Sequence, residues 1–187
     1  MIKKYVETIS NILYASVITD AEGNIITDIS AHKQIIDRLE KLRRNKKTLY
    51  IIGNGGSNAI ASHAAIDFLN TCKIKVMPLV DSSQITCMAN DFGYENVFSK
   101  SLEIMMERDD VLIAISSSGM SKNIINAVEL FKQKKGYIIT YSGFNKNNKL
   151  AKLGNINFWL NSKDYGQVEI GHALLIHLLT DTFRDIT

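Results

Sequence analysis

Apolar positions in this chain first recur at helical spacing and then gather into short blocks. Over the first ~45 residues the period is close to 3.6. Tyr5, Ile9, Ile12, Leu13 and Val17 fall on one stripe, and Ile35, Ile36, Leu39 and Leu42 on a second. Asp20-Ala21-Glu22-Gly23-Asn24 separates the two, and Ser30 stands where it would cap the second helix. After Lys47 the pattern alternates. Runs of β character at Leu49–Ile52, Lys75–Val80, Val111–Ile115, Tyr137–Tyr141 and Ile156–Leu160 are followed or separated by helical segments at Asn58–Asn70, Asn96–Glu107, Lys122–Lys134 and Gln167–Arg184. The alternation predicts an α/β fold, a three-layer αβα sandwich around a five-stranded, mostly parallel sheet. The helical pair of residues 1–46 is extra to that sandwich, and its amphipathic faces are expected to serve oligomer contacts.

Two loops follow strands and open helices. One is Gly53-Asn54-Gly55-Gly56-Ser57; the other is Ser116-Ser117-Ser118-Gly119-Met120-Ser121. Small residues admit a ligand close to the backbone, and free N–H groups at a helix start attract anions. Ligands of open α/β sheets bind beyond the strand C-termini, where both loops fall. The pair therefore points to a pocket for the phosphate of a small, hydroxyl-rich molecule. No Gly-Lys-Ser/Thr follows the first loop, so it is not a nucleotide-binding P-loop. Asn58 stands where a dinucleotide fingerprint needs its third glycine, although Asp81 sits where a ribose-binding acid would be. Ser121 precedes a helix and is expected to cap it.

Length and composition narrow the class. The 187 residues suit one domain, with 45% apolar and 22% charged residues as in ordinary globular chains. The net charge of +3 suits an anionic metabolite and is too small to argue for nucleic acid. Lys41–Lys47 holds five basic residues, read as a solvated helix end that the dipole favours. Cys72 and Cys87 lack any CxxC spacing, so packed, reduced thiols are expected. No apolar run nears the ~20 residues of a membrane helix, and no signal peptide is evident. The expected location is the cytoplasm.

In order along the chain come Gly53-Asn54-Gly55-Gly56-Ser57, Ala89-Asn90-Asp91-Phe92-Gly93-Tyr94-Glu95, Ile115-Ser116-Ser117-Ser118-Gly119 and Ile176-His177. Together they resemble the sugar isomerase (SIS) domain and, within it, the phosphoheptose isomerases. The resemblance spans residues 1–187 as a single SIS domain. It implies conversion of sedoheptulose 7-phosphate to D-glycero-D-manno-heptose 7-phosphate, which feeds nucleotide-heptose routes to lipopolysaccharide and capsule. It also implies a homotetramer with sites at subunit interfaces, and zinc in some members. By position, Ser57, Ser116, Ser117, Ser118 and Ser121 would bind the phosphate, with Gly55 and Gly56 beside it. Asn54 and Asp91 would line the sugar site.

Aldose–ketose isomerisation moves a proton between adjacent carbons through an enediol, so it needs a base, an acid and charge stabilisation. His63 and Asp67, four apart, share a helix face. Glu169 and His177 lie eight apart, near one face of the last helix. The resemblance implies that Asp67 is the catalytic base and His177 the catalytic histidine. His63 and Glu169 fall where relatives place further metal ligands or substrate contacts. His63, Asp67, Glu169 and His177 thus form a possible two-histidine, two-carboxylate site for one zinc ion per subunit. His172 is read as structural.

Several positions depart from the family pattern. Asp67 replaces a usual glutamate, Ile66 a common acid, and Glu169 a usual glutamine. Asn70-Thr71 stands where relatives often have Gly-Arg, leaving Lys73 as the nearby cation, and the Asp that many have just before the last helix falls near Gly166, with Asp164 two residues earlier. Two expectations follow: a rebalanced isomerase with stricter metal dependence, or a non-catalytic sugar-phosphate-binding or adaptor protein like the DnaA initiator-associating relative.

Overall fold

A computed structural model describes residues 1–185. Its sheet has six strands in the order β1-β6-β5-β4-β2-β3. They are β1 (Val17–Asp20), β2 (Leu49–Ile52), β3 (Val76–Pro78), β4 (Val111–Ser116), β5 (Tyr137–Ser142) and β6 (Ile156–Trp159). All neighbours are parallel except β1, which pairs antiparallel with β6. The helices are α1 (Ile2–Tyr14), α2 (Asp28–Arg44), α3 (Gly56–Asn70), α4 (Ser82–Phe92), α5 (Val97–Met105), α6 (Lys122–Gln133) and α7 (Tyr165–Asp185).

The strand alternation splits the core into two layers. Leu49, Ile51, Val111 and Ile113 pack on one face with Leu39 of α2, Phe68 of α3 and Phe183 of α7. Tyr50, Ile52, Leu112 and Ala114 point to the other face, against Phe98 of α5 and Ile124 and Phe131 of α6. Phe68, Phe131 and Phe183 are fully buried. Truncating such a ring to alanine typically costs about 3–5 kcal/mol.

The N-terminal region departs from the expected helical pair. Val17 does not extend the first stripe: it begins β1, the sixth strand, and Ile26 N–H bonds back to the Ile18 carbonyl at 3.0 Å. α2 is a core layer, with Ala31, Ile35 and Leu39 at 0% exposure. Its cap is Thr27, which accepts from Ser30 N–H at 3.2 Å, rather than Ser30 itself. Asp28 opens α2 and Lys41, Arg43 and Arg44 close it, so both ends complement the helix dipole. α4 was not foreseen. Asp81 caps it by accepting from Gln84 N–H at 2.9 Å, and none of its residues is fully buried.

The turns at the sheet's lower end carry left-handed lysines. Lys46 (φ 54°) and Lys135 (φ 61°) each follow the last helical turn. In both turns the next residue's N–H returns to the helix, Lys47 to the Leu42 carbonyl and Gly136 to the Phe131 carbonyl, each at 3.0 Å. That bond closes a Schellman turn, whose left-handed position favours glycine. Lys135→Gly should therefore stabilise the protein by about 0.5–1 kcal/mol. The measurement is the urea midpoint at unchanged m-value; no upward shift would mean that the lysine charge on the α6 dipole offsets the strain.

Candidate active site

The strand order reverses between β2 and β4, whose parallel neighbours lie on opposite sides. The loops after these two strands meet in the crevice there, as the fold rule requires. Gly53 can only be glycine, because a Cβ would stand 2.5 Å from the Ser57 carbonyl carbon. Gly55 takes φ 55°, which turns the chain abruptly into α3. No side chain caps α3, and none caps α6. Two helix N-termini are thereby left to an outside acceptor.

Asn54, Gly55, Gly56, Ser57, Ser116, Ser117, Ser118, Ser121 and Glu169 line one pocket of about 240 Å³ together with Tyr165. Nine of the ten expected substrate contacts thus come together. Ser121 stands at the start of α6 as expected, but its hydroxyl accepts from Ser116 Oγ at 3.2 Å instead of capping the helix. Ser118 Oγ accepts from Met120 N–H at 3.2 Å. Ser117 is 5% exposed, and its hydroxyl has no partner. A buried, unpaired hydroxyl in a polar pocket is placed to meet a ligand oxygen.

Asp91, the tenth, does not line this pocket within the protomer. It is exposed on α4, where its carboxylate accepts from Asn90 Nδ2 at 3.0 Å. Cys87, expected to be packed, is exposed beside it, whereas Cys72 is buried.

Three contributors were missed. Asn123, 2% exposed, forms a reciprocal amide pair with Asn54, both bonds at 2.9 Å. Tyr94 donates its hydroxyl to Asn54 Oδ1 at 3.1 Å. The asparagine pair ties the glycine loop to the first turn of α6. Tyr94 lies within the Asn-Asp-Phe-Gly-Tyr-Glu string, which was a signal; Asn123 reads from sequence only as a helix residue. Tyr165, at the start of α7, gave no signal.

The serine loop is braced from behind. Gly143 N–H bonds to the Ser117 carbonyl at 2.9 Å, and Leu150 N–H to the Gly119 carbonyl at 3.0 Å. His172, fully buried, donates Nε2–H to the Ser142 carbonyl at 3.1 Å, and burial pushes its pKa down to about 4. It is not among the residues that line the serine pocket or the cleft beside His63, Asp67 and His177.

The titratable cluster lies further along the same two helices. α3 and α7 run side by side in one direction, with Gly56 against Glu169 and Asp67 against His177. Asp67 Oδ2 is 3.6 Å from His63 Nε2 and 3.5 Å from His177 Nδ1. The imidazoles meet edge to face at 5.2 Å between centroids. A cleft of about 220 Å³, floored by Ala59, Ile60, Ala64, Ala173 and Ile176, opens beside them. One donor atom from each of the three residues lies within 4.8 Å of the others. Two imidazoles and a carboxylate at that spacing fit a zinc site with an open position.

The four-residue metal set divides. Glu169 lies in the serine pocket and not in this cluster. Its side-chain rotation about α7 is compatible with His177, but eight residues also rise about 12 Å along the axis. One ion cannot be shared across that rise within a protomer, since zinc–oxygen and zinc–nitrogen bonds are only about 2 Å.

Sheet order, paired loops and pocket together define an SIS domain, and the sequence matches the SIS domain family over residues 5–143. Within that class the chain belongs to the phosphoheptose isomerase family. It is 34% identical over 155 residues to a phosphoheptose isomerase of Helicobacter pylori (strain P12), covering 80% of each chain. It is 32% identical over 165 residues to that of Thermodesulfovibrio yellowstonii, covering 85% of this chain and 82% of the relative. The solved phosphoheptose isomerase from Francisella tularensis superposes with a TM-score of 0.83 at 25% identity, covering 100% of this chain and 97% of that one.

Proposed function

We propose that this chain is an aldose–ketose isomerase that converts sedoheptulose 7-phosphate to D-glycero-D-manno-heptose 7-phosphate in nucleotide-heptose biosynthesis. The observation that carries the reading is the meeting of Asp67 with His177 at 3.5 Å on a chain of the phosphoheptose isomerase family. In this reading the serine pocket holds the phosphate through hydroxyls and helix N-termini. Asp67 removes a proton from C1 of the ketose and returns it to C2. His177 moves the proton between the two oxygens, so the enediol forms and collapses with atoms balanced. His63, Asp67 and His177 would hold zinc. The bound ion would supply Lewis-acid stabilisation of negative charge on the substrate oxygens.

The proposal includes a homotetramer with sites at subunit boundaries. Gly56 and Asp67 are separated by about 16 Å of helix rise. An extended seven-carbon chain reaches about 10 Å from C1 to phosphorus at ordinary bond lengths. That shortfall supports a site assembled from more than one subunit. So do the exposed apolar side chains flanking the cluster, Ile66 and Leu69 on α3 and Ile170, Leu174 and Leu178 on α7, with Val6 on α1. Residues 1–187 act as one unit, with α1 as the part of the N-terminal region that serves the contacts. The proposed location is the cytoplasm, in keeping with two free thiols. No helix among the described residues is long and apolar enough to cross a membrane.

Proton NMR with sedoheptulose 7-phosphate in D₂O tests the reading, with zinc and separately with chelator. New aldose signals that need metal establish the isomerase and support the three-residue site. Signals indifferent to chelator leave Asp67 and His177 as a metal-free base and acid. No turnover from folded protein that binds the sugar phosphate removes the catalytic reading in favour of a binding module.

A further inference from the structure

Glu169 occupies an unexpected place. Its carboxylate lies against the Cα of Gly56, so close that a Cβ there would stand 2.3 Å from Oε2 and 2.5 Å from Oε1. Gly56 is the first residue of α3, so the carboxylate sits at that helix's positive end. It has no hydrogen-bond or ion-pair partner among the described residues. No lysine, arginine or histidine lines the pocket around it. The remaining lining is hydroxyl, amide and backbone, including the buried, unpaired Ser117 Oγ.

A pocket with these features favours one anion. Two uncapped helix N-termini and a ring of serines supply partial positive charge and donors. They supply no full positive charge to offset a second negative group. Among the residues that line the pocket, Glu169 carries the negative charge.

We infer that Glu169 is an internal rival of the substrate's phosphate: its carboxylate stands at the positive end of α3, and its charge opposes a phosphate that enters the same pocket. This deepens the proposed function and rests on the serine pocket being the phosphate site. Glu169 is then a gate that sets how tightly the pocket takes an anion. It weakens binding of inorganic phosphate and short phosphate esters. A substrate with further contacts along its chain can still bind against it.

The test is titration calorimetry of the full chain with inorganic phosphate, comparing wild type, Glu169→Gln and Ser117→Ala. Glutamine keeps the shape and removes the charge. Two like charges a few ångströms apart at a half-exposed site imply roughly tenfold tighter binding by Glu169→Gln at low salt. The gain should shrink as ionic strength rises. Ser117→Ala should weaken binding. Thermal unfolding supplies a second readout: without phosphate Glu169→Gln should melt below wild type, having lost the carboxylate at α3, and with saturating phosphate the gap should close. Equal affinity in wild type and Glu169→Gln overturns the gate while a loss in Ser117→Ala keeps the pocket. Weaker binding by Glu169→Gln also overturns it, because the carboxylate is then a ligand contact. If neither wild type nor Glu169→Gln binds phosphate, the gate and the pocket assignment fall together.

Discussion

Asp67→Asn should lower turnover of the heptulose phosphate by about 10²–10⁴-fold, the range a positioned acid–base group contributes. Asparagine matches aspartate in shape, so α3 and its packing on α7 are preserved. The change removes the carboxylate that, among the described residues, stands within 3.6 Å of both imidazoles. Its side chain is 25% exposed, against 65% for His63 and 51% for His177, so it is the best shielded of the three. KM should move far less, since the serine loops proposed to hold the phosphate lie apart from Asp67. Ser118→Ala should show the opposite split, raising KM with a small effect on kcat. Asp67→Glu keeps the charge but moves it by a methylene, and a misplacement near 1 Å can cost about 10²-fold. It should fall between wild type and Asp67→Asn. Steady-state kinetics on the three variants decides the matter. Equal, mild losses in all of them would remove Asp67 from the proton transfer. Equilibrium dialysis against zinc adds an independent readout, because Asp67→Asn deletes one of the three proposed ligands and should weaken zinc retention.

Much of this architecture is legible in the sequence because its signals are local. β2, β4 and β5 are short apolar runs bounded by polar turns, and the helices between them have strong periodicity. β1 was not legible. Val17 continues the spacing of Ile9 and Leu13, and only pairing with Trp159 far along the chain makes it a strand. α4 escaped for a related reason: with no fully buried residue, it lacks a strong apolar stripe. Among site residues, the two loops were readable because glycines and serines at strand ends have few other uses. The pairing of His63 with Asp67 follows from helix geometry alone. Glu169 shows where that reasoning stops. Angular position on α7 is a sequence property, but the partner at each height depends on how α7 lies against α3. Asn123 was invisible for the same reason, since its partner Asn54 lies on another loop. Asp91 carries the family string yet stays outside the pocket of a single protomer.

His172, which braces the serine loop, should give stability a large pH dependence. His172 is fully buried, sits edge-on to Tyr141 at 5.9 Å and gives its one N–H to the Ser142 carbonyl. Its Nδ1 has no partner, so a second proton there would be an uncompensated buried charge. Burial holds its pKa at about 4 against an ordinary 6.5. The sign follows directly. Below pH 6.5 the unfolded chain takes up a proton that the folded chain refuses, so stability is lost as pH falls. The contribution is complete above 6.5, declines from there toward 4 and is gone once the folded imidazole also protonates. Its full size is about 3 kcal/mol. His172→Gln retains an N–H for Ser142 but cannot titrate. Urea unfolding of wild type and variant across pH 7 to 4.5 should show a steeper loss in wild type by most of that amount. The half-buried His32 is shifted in the same direction, so the difference between the two proteins, not the wild-type slope alone, is the measure. Parallel curves would mean that His172 accepts its proton without cost in the folded state. If the curves diverge as expected, phosphate binding should weaken over the same range. Ser142 leads directly into Gly143, whose N–H holds the Ser117 carbonyl and with it the loop proposed to receive the phosphate.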